Sequence, residues 1–336
     1  MADRPDGSRP TIIDVARAAG VSKALVSIVM REVPGASAET RRRVKRIAEE
    51  IGYVPDQRAR KLRQIRSGLL GVVFELQQPF HGDVVEQLYA AAARRGYDVV
   101  LSAVAPSRPE DRAVADLMRE RCEAAILLGS SLTVDELSVL AAQLPAVVVA
   151  RQSGAAEVDS VRGDDVAGIA LAVDHLVELG HRHIAHIDGG GAAGTADRRR
   201  GFVDAMARHG LAAFAAMVSG GLTEADGARG IGELLTRPHR PTAVVAFNDR
   251  CATGVLDQLV RRGVEVPGDM SVVGYDDSRL ARLMHVQLTT VSQDAAQLAE
   301  AAVSAALGRI TGGTASDLVL PPHLVVRATT GPAPAA

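Results

Sequence analysis

Residues 11–30 read TIIDVARAAGVSKALVSIVM, a pattern that predicts two short helices joined at a glycine. Apolar residues at positions 12, 15, 16 and 19 have the i, i+3, i+4, i+7 spacing of one helical face. Thr11 and Ser22 are suited to cap the two helices, and Gly20 allows the tight bend between them. Four residues of the second helix then face outward: Lys23, Ala24, Ser27 and Ile28.

A third amphipathic helix is predicted in SAETRRRVKRIAEEIGY, residues 37–53, which places Val44, Ile47, Ala48 and Ile51 on one face. Three short helices of this kind make a minimal helix-turn-helix domain. The second helix of such a domain enters the major groove of DNA, where the four outward residues would face base edges. A helical hairpin that serves only protein contacts is the alternative.

The charge of the 336-residue chain is divided unevenly. The first 66 residues hold 15 Lys or Arg and 8 Asp or Glu, a net charge of +7, whereas the remainder carries −9. A basic head on an acidic body favours a polyanionic partner for the head alone, and we therefore favour DNA over protein contacts.

A basic segment, YVPDQRARKLRQIRSG at residues 53–68, follows the three helices. It is too short and too polar to fold alone, so we expect it to become helical only against a partner. Within QRARKL, Leu62 is the one large apolar side chain among several positive charges. That composition is typical of a segment that wedges an apolar group into the minor groove, and an ordinary linker is the alternative.

From residue 69 the pattern alternates near-continuous apolar runs with amphipathic helices, in two successive series. This arrangement predicts two α/β lobes, each with a parallel sheet covered on both faces. Ligands of such sheets bind outside the carboxyl ends of the strands. We therefore expect a cleft lined by the residues that follow the apolar runs: Phe74 to Phe80, Gly129, Ser130, Ala150, Arg151, Asp188 to Arg198, Asn248, Asp249, Asp276 and Asp277.

The sequence shows no pattern of residues that predicts catalysis. GGGAAG at residues 189–194 fits the G-x-G-x-x-G pattern of a dinucleotide site, but no acidic residue ends a following strand about twenty positions on. No Ser-His-Asp order, metal-ligand spacing or oriented carboxylate pair is present, so we predict no catalytic residue, metal or cofactor. Cys122 and Cys251 are too far apart for a metal or redox motif and are expected to be buried apolar residues.

The segment MADRPDGSRP lacks the apolar run of a signal peptide, and no stretch of about 18 uninterrupted apolar residues occurs. We therefore expect a cytoplasmic protein.

The chain resembles the LacI/GalR family of transcription regulators over essentially its whole length. The resemblance is carried by TIIDVARAAGVSKALVS, YVPDQRARKL, LGVVFELQQPF, DHLVELGHRHIAHI, RRRGF, PTAVVAFND, DMSVVGYDDSRLA and LTTVSQD, in the family's order. It implies a helix-turn-helix head, a hinge helix that forms on operator DNA, and a periplasmic-binding-protein-like body that dimerises and binds an effector between its lobes.

The resemblance also assigns residues. Lys23, Ala24 and Ile28 occupy the base-reading positions, Leu62 the hinge leucine of the minor groove, and Ala59 the small residue that lets two hinge helices approach. The predicted DNA-binding residues are Thr11, Ser22, Lys23, Ala24, Ser27, Ile28, Arg31, Thr40, Ala59, Arg60 and Leu62.

Arg198, Asn248 and Asp276 match the family's polar cleft residues, which together suit a hydroxylated ligand. The predicted effector-binding residues are Phe74, Phe80, Ser130, Arg151, Arg198, Asn248 and Asp276. Leu222 stands where sugar binders often carry an aromatic residue. Because the chain has no Trp and nine Phe or Tyr in all, ring stacking falls mainly to Phe80. We favour a sugar effector, with a nucleoside, polyol or other small metabolite as alternatives.

The sequence therefore predicts a small all-α helix-turn-helix domain, residues 1–55, a hinge, residues 56–67, and an α/β body of two doubly wound lobes, residues 68–336. The amino-terminal lobe should comprise about 68–165 and 292–320, and the other lobe about 166–291 and the C-terminal segment. The expected function is a homodimeric, DNA-binding transcriptional repressor controlled by a small molecule. A ligand-binding receptor without DNA function and a dinucleotide-binding enzyme are the alternatives.

Overall fold

The computed structural model describes residues 10–30, 32–53 and 66–335. The chain divides into two compact units at Ser67 and Gly68. In the first unit, helices α1 (Ile12–Ala19), α2 (Lys23–Met30) and α3 (Ala38–Glu50) enclose a small apolar core. The buried members of this core come from the predicted inward faces: Val15, Ala16, Ala19, Val26, Val29, Val44 and Ala48.

Local hydrogen bonds fix the two helix starts and the bend between them. Thr11 donates to the Asp14 carboxylate from its backbone N–H at 2.9 Å and from its hydroxyl at 2.6 Å. Gly20 ends α1 in the left-handed region, with φ of 64°, a conformation that glycine adopts without strain. The Ser22 hydroxyl accepts from the Leu25 N–H at 3.2 Å at the start of α2. The short turn between α1 and α2 is thus set by its own sequence.

The second unit contains twelve strands and eight α-helices among the described residues. The strands are β1 (Leu69–Glu75), β2 (Asp98–Val104), β3 (Ala124–Leu128), β4 (Ala146–Val149), β5 (Asp159–Gly163), β6 (Ile184–Ile187), β7 (Ala215–Val218), β8 (Ala243–Ala246), β9 (Ser271–Asp276), β10 (Thr289–Ser292), β11 (Asp317–Leu320) and β12 (His323–Val325). The helices are α4 (Pro79–Ala93), α5 (Glu110–Arg119), α6 (Val134–Ala141), α7 (Asp165–Glu178), α8 (Thr195–Arg208), α9 (Glu224–Leu234), α10 (Asp249–Arg261) and α11 (Ala295–Ile310). A 3-10 turn spans Ala212–Phe214.

The strands form two six-stranded sheets with equivalent orders, β2-β1-β3-β4-β5-β11 in the amino-terminal lobe and β7-β6-β8-β9-β10-β12 in the carboxy-terminal lobe. Every pairing between these strands is parallel except that of β10 with β12. Helices α4 and α11 cover one face of the first sheet, and α5 and α6 cover the other. In the second lobe α7 and α8 lie opposite α9 and α10. The predicted fold class, a helix-turn-helix domain followed by two doubly wound α/β lobes, is confirmed.

The chain passes between the lobes three times, after β5, after β10 and after β11. Each sheet therefore includes strands that are distant in sequence. None of the helices among the described residues is both long and apolar enough to cross a membrane.

Helices α9 and α10 approach so closely that glycine is required between them. A Cβ atom added at Gly254 would lie 1.8 Å from the Glu224 carbonyl oxygen, and one added at Gly227 would lie 2.0 Å from the Cys251 carbonyl oxygen. Backbone atoms cannot move aside as a flexible side chain can. The two glycines thus set the spacing of the helix pair.

We expect Gly254→Ala to lower the free energy of unfolding by about 1–3 kcal/mol, because the added methyl group forces the helices apart. Gly232→Ala is the matched control, since its Cβ would meet only the end of Gln258, at 4.0 Å. The control should raise stability by about 0.5–1 kcal/mol through helix propensity. Urea denaturation followed by circular dichroism measures both, and equal effects would contradict the packing argument.

Candidate functional site

A cleft lies where the carboxyl ends of the two sheets face each other. In each sheet the chain adds strands first on one side of the starting strand and then on the other. This change of direction falls between β1 and β3 in the first lobe and between β6 and β8 in the second. Such reversal points are where open α/β sheets bind ligands. The cleft is lined by Glu75, Gln78, Phe80, His81, Gly129, Ala150, Ala192, Ala193, Arg198, Leu222, Phe247, Asn248, Asp276 and Gln293.

The amino-terminal wall of the cleft is built by the turn from β1 into α4. Phe80 is buried in this wall. The next residue, His81, accepts a hydrogen bond at Nδ1 from the Glu75 N–H at 3.0 Å. Because Nδ1 accepts, the ring hydrogen must be on Nε2 in the neutral tautomer. Burial lowers the pKa of His81 to about 4, so the ring stays neutral near pH 7.

The opposite wall is organised around the buried guanidinium of Arg198 on α8. Its Nε donates to Asp165 at 2.9 Å and one terminal nitrogen donates to the Phe247 carbonyl at 2.5 Å. The guanidinium carbon lies 3.6 Å from the centre of the Tyr275 ring and 4.4 Å from that of Phe247. Both arrangements are favourable cation–π contacts. Arg198 is therefore fixed in one orientation, and its remaining donors border the cleft.

Asp276, at the end of β9, supplies a carboxylate to the same wall. Its backbone has φ of 113°, which few residues other than glycine adopt. The Gln293 amide donates to it at 2.7 Å. The side chain keeps some solvent access through the cleft, but surrounding protein atoms raise the pKa of Asp276 well above its usual value, with Arg198 opposing the shift. Asp276 can thus accept hydrogen bonds from a ligand, and in its protonated form donate one.

Asp249 lies behind this wall, fully buried. Its two oxygens accept from the Thr290 hydroxyl at 2.6 Å and the Ser278 N–H at 2.7 Å. Burial raises the pKa of Asp249 to about 7, and these two hydrogen bonds oppose the shift. It holds the β9 and β10 ends together and does not line the cleft.

Asn248 serves two purposes. Its side-chain oxygen accepts from the Cys251 N–H at 2.7 Å and caps α10, while its amide lies 3.4 Å from the Leu222 carbonyl oxygen. It lines the cleft as predicted from the sequence, but its oxygen is already used by the helix. One of its two amide hydrogens remains for a ligand, because the other is donated to the Leu222 carbonyl.

Three of the seven predicted effector-binding residues do not line the cleft. The Phe74 ring packs against the apolar core of the amino-terminal lobe. Ser130 is buried, and its hydroxyl accepts from the Leu132 N–H at 3.2 Å. Arg151 donates to three backbone carbonyls, those of Ser130, Gln152 and Leu132. Phe80, Arg198, Asn248 and Asp276 are the predicted residues that the structure brings together.

Several residues that line the cleft were not predicted from the sequence, above all His81 and Gln293. Glu75 was placed near the cleft but was not predicted to bind the ligand. His81 is the third residue of α4, so it faces the strand ends as the residues at the start of such a helix do. This placement after a predicted strand is the signal that could have identified it. Gln293 belongs to the second crossover between the lobes, and no pattern in the sequence marks it.

Close packing accounts for two glycines of the loop before α8. A Cβ at Gly189 would lie 2.4 Å from the Thr195 hydroxyl oxygen, so close packing explains that glycine. At Gly194 the space is bordered by the Asp165 carboxylate, at 2.7 Å. A carboxylate at this helix start disfavours a pyrophosphate.

A larger groove of about 450 Å³ lies outside the cleft and is bordered by Arg162, Asp164, Asp165, Asp197 and Arg200, among others. Its charges are already used within the protein. Arg162 pairs with Asp317 at 2.8 Å, Arg200 pairs with Asp197 at 2.8 Å, and Asp164 caps α7. Despite its greater volume, the groove offers few free polar groups, so we take the cleft as the candidate site.

The cleft is narrow. The space within it measures about 80 Å³, well below the roughly 300–1,000 Å³ usual for small-molecule sites. Two hydrogen bonds join the lobes at its rim, from Arg250 to the Gln77 carbonyl at 3.0 Å and from the Arg279 N–H to Asp83 at 2.9 Å. Entry of a ligand therefore requires the lobes to move apart.

The first unit carries the candidate DNA surface. Lys23 and Ala24 are exposed on α2, whereas Ser27 and Ile28 are half-buried. The Ile28 methyl groups lie 3.5 Å from the Cβ position of Gly35, so Ile28 leans on the loop before α3 instead of pointing fully outward. Thr40 lies in the first turn of α3, where its N–H donates to the Ser37 hydroxyl at 3.2 Å. Arg31, Ala59, Arg60 and Leu62 lie outside the described residues.

Known proteins similar to this chain are bacterial regulators. The model of the bacterial regulatory proteins of the lacI family matches residues 11–56, and that of the periplasmic binding protein-like domain matches residues 173–330. The HTH-type transcriptional regulator GalR of Escherichia coli (strain K12) is 34% identical over 302 residues, which cover 88% of each chain.

Solved structures of similar regulators have the same fold over the parts that they cover. A LacI transcriptional regulator from a Rhodococcus species is 70% identical and covers 80% of this chain and 100% of its own, with a TM-score of 0.79. The lac repressor dimer bound to operator and the anti-inducer ONPF is 28% identical, covers 96% of this chain and 100% of its own, and has a TM-score of 0.83.

The Arg198–Asp165 pair allows a direct test of the carboxy-terminal wall. Both side chains are buried, so Asp165→Ala leaves a desolvated charge and should lower the free energy of unfolding by about 3–5 kcal/mol. Asp257→Ala, which breaks an exposed pair with Arg261, is the control and should change stability little. Chemical denaturation measures both, and a similar small effect of the two variants would refute the buried-charge argument.

A second test concerns His186 on β6, whose ring Nδ1 bonds the Val245 carbonyl at 2.9 Å. Burial lowers the pKa of His186 from 6.5 to about 4. Between pH 4 and pH 6.5 the unfolded chain binds a proton at His186 and the folded chain does not. The contribution of neutral His186 to stability is therefore complete above pH 6.5 and is lost as the pH falls.

We therefore compare the wild type with His186→Asn, which keeps a donor for Val245 but does not titrate. Any stability advantage of the wild type near pH 7 should shrink by about 2 kcal/mol near pH 4.5. Urea titrations at several pH values give the difference. A difference that is constant with pH would show that His186 takes up its proton normally.

Proposed function

Because the chain belongs to the LacI family of bacterial regulatory proteins, we propose that it is a homodimeric transcriptional repressor whose operator binding is controlled by a neutral, polyhydroxylated small molecule. The effector occupies the cleft between the two lobes. A sugar is the class we favour. Operator DNA is the second partner, and the protein acts in the cytoplasm, where that DNA lies.

The observation that carries this proposal is the polar composition of the cleft. Arg198 donates and Asp276 accepts, on a wall in which both are held by other side chains. Hydroxyl groups can donate and accept, and they satisfy both groups at once. Leaving such groups unpaired in a closed cleft is costly, which gives selectivity for a hydroxylated ligand.

The narrow cleft supports the proposal that a ligand regulates the protein. A ligand that fits only when the lobes change their separation binds one arrangement better than the other, and so shifts the population between them. We propose that residues 56–67 carry this change to the head as a hinge, with residues 1–55 as the DNA-binding domain and 68–336 as the effector-binding and dimerisation domain. For the lobes we propose the predicted bounds, about 68–165 with 292–320 and about 166–291 with the C-terminal segment.

Within the head, Lys23 and Ala24 are exposed on α2 and are proposed to face base edges. Lys23 can donate to guanine, whereas Ala24 can offer only apolar contact, as to a thymine methyl. The half-buried position of Ile28 leaves it a smaller part in base contact. We further propose that the protein catalyses no reaction, since its relative GalR is a regulator.

The proposal is tested with full-length protein and an inverted-repeat duplex selected from a randomised library. Fluorescence anisotropy should show specific binding, and one of D-galactose, D-glucose, D-ribose, cellobiose or cytidine should change the dissociation constant. Asp276→Asn should retain operator affinity and lose the response, because Asn tolerates the positive φ but cannot carry the carboxylate.

Asp257→Asn, on the exposed face of α10, is the matched control and should respond as the wild type does. Failure to select any duplex would refute the DNA function. An Asp276→Asn variant that responds normally would refute the role of the Asp276 carboxylate in effector binding.

A further inference from the structure

The His81 ring presents one hydrogen-bond donor that the described protein does not use. Its Nδ1 is occupied by the Glu75 N–H, which leaves the hydrogen on Nε2. Among the described residues no hydrogen bond is formed by Nε2. The residue borders the cleft, and a neutral ring donates at this atom only.

Gly129, at the carboxyl end of β3, keeps the surroundings of Nε2 open. A Cβ atom at this position would lie 3.1 Å from Nε2 and 3.2 Å from the adjoining ring carbon, so any side chain would press against the donor edge. The glycine also has φ of 58°, a left-handed conformation. The glycine therefore keeps side-chain atoms away from the donor edge of the ring.

The Glu75 carboxylate is a second polar group on the amino-terminal wall, and it can act as an acceptor. It lines the cleft, and no ion pair or hydrogen bond of its side chain occurs within the described part of the chain. On the other wall the charge of Arg198 is balanced by Asp165. Among the described residues that line the cleft, Glu75 thus leaves an unbalanced negative charge on the amino-terminal wall, and no positive charge is left unbalanced.

This charge arrangement selects among ligands. A phosphorylated or carboxylated ligand would meet Glu75 without a free cation to compensate, whereas an uncharged ligand with adjacent hydroxyls would satisfy both the donor and the acceptor. The amino-terminal wall then offers one donor and one acceptor, as Arg198 and Asp276 do on the opposite wall. A ligand bound by both walls links the lobes.

We propose that His81 is a specificity-determining residue that donates from Nε2 to one hydroxyl of a neutral polyhydroxylated effector, while Glu75 accepts from a neighbouring hydroxyl. The inference rests on the proposed function, because it assigns roles within the same cleft. It adds the orientation of the ligand on the amino-terminal wall and the exclusion of anionic analogues.

Two substitutions separate this role from a structural one. His81→Asn keeps an acceptor at the place of Nδ1 for the Glu75 N–H but lacks the Nε2 donor. His81→Gln places an amide donor at the position of Nε2 and loses the Nδ1 acceptor. If His81 binds the effector, His81→Asn should weaken effector binding roughly tenfold, while His81→Gln should keep most of the wild-type affinity. If the ring only supports the turn after β1, the order should be reversed.

The measurement is isothermal titration of full-length protein with D-galactose, D-glucose, D-ribose and cellobiose, and with glucose 6-phosphate as the anionic probe. Circular dichroism melting confirms that each variant is folded. For the sugar that binds, its monodeoxy derivatives are then titrated. Removal of one particular hydroxyl should weaken binding to the wild type about tenfold. Removal of the same hydroxyl should hardly change the affinity of His81→Asn.

The outcomes distinguish this inference from the function on which it rests. If no neutral sugar binds the wild type, the proposed effector class and the role of His81 both fail. Suppose that a sugar binds but His81→Asn has the same affinity as the wild type, or that each deoxy derivative loses the same affinity in both proteins. The role of His81 then fails, and the effector class stands. Tight binding of glucose 6-phosphate would overturn the exclusion of anions.

Discussion

The buried ion pair between Arg198 and Asp165 is the interaction on which the carboxy-terminal half of the cleft depends. A guanidinium removed from water is costly unless a carboxylate and further hydrogen bonds meet it. Several otherwise unconnected features follow from this need. Tyr275 forms the face on which the guanidinium rests, Gly168 leaves space for the Tyr275 hydroxyl, and Gly194 leaves space for the Asp165 carboxylate. The pair thus accounts for residue types on three elements and keeps one donor group at a fixed place in the cleft.

The fold could be predicted because its determinants are local or periodic. Runs such as residues 124–128 are buried throughout, as strands covered on both faces must be, and they separate helices with one apolar face. Thr11, Gly20 and Ser22 show their turn chemistry in the sequence itself. The cleft could also be placed, since strand order and chain direction bring the carboxyl ends of the strands together wherever the sheet is parallel.

Which residues enter the cleft could be predicted only in part. Arg151 follows a strand as Asp276 does, yet its guanidinium reaches three carbonyls of neighbouring loops, and only the path of those loops decides this. Phe74 and Glu75 are adjacent on β1, and the pleat sends the first into the core and the second to the cleft. Gln293 reaches the site from a crossover, through a contact with no periodicity. Side-chain direction at strand ends is therefore a tertiary property.

The three crossings between the lobes also determine the order in which this protein can be completed during synthesis. The first sheet ends with β11 and is covered by α11, and the second requires β10 and β12, all of which follow position 288 in the chain. Neither sheet has its full set of strands on the ribosome until those last segments emerge, whereas the three helices of the first unit can pack as soon as residue 53 is available. The residues of the head are consequently complete before those of the cleft, and the cleft that binds an effector is the last part of the chain to be completed.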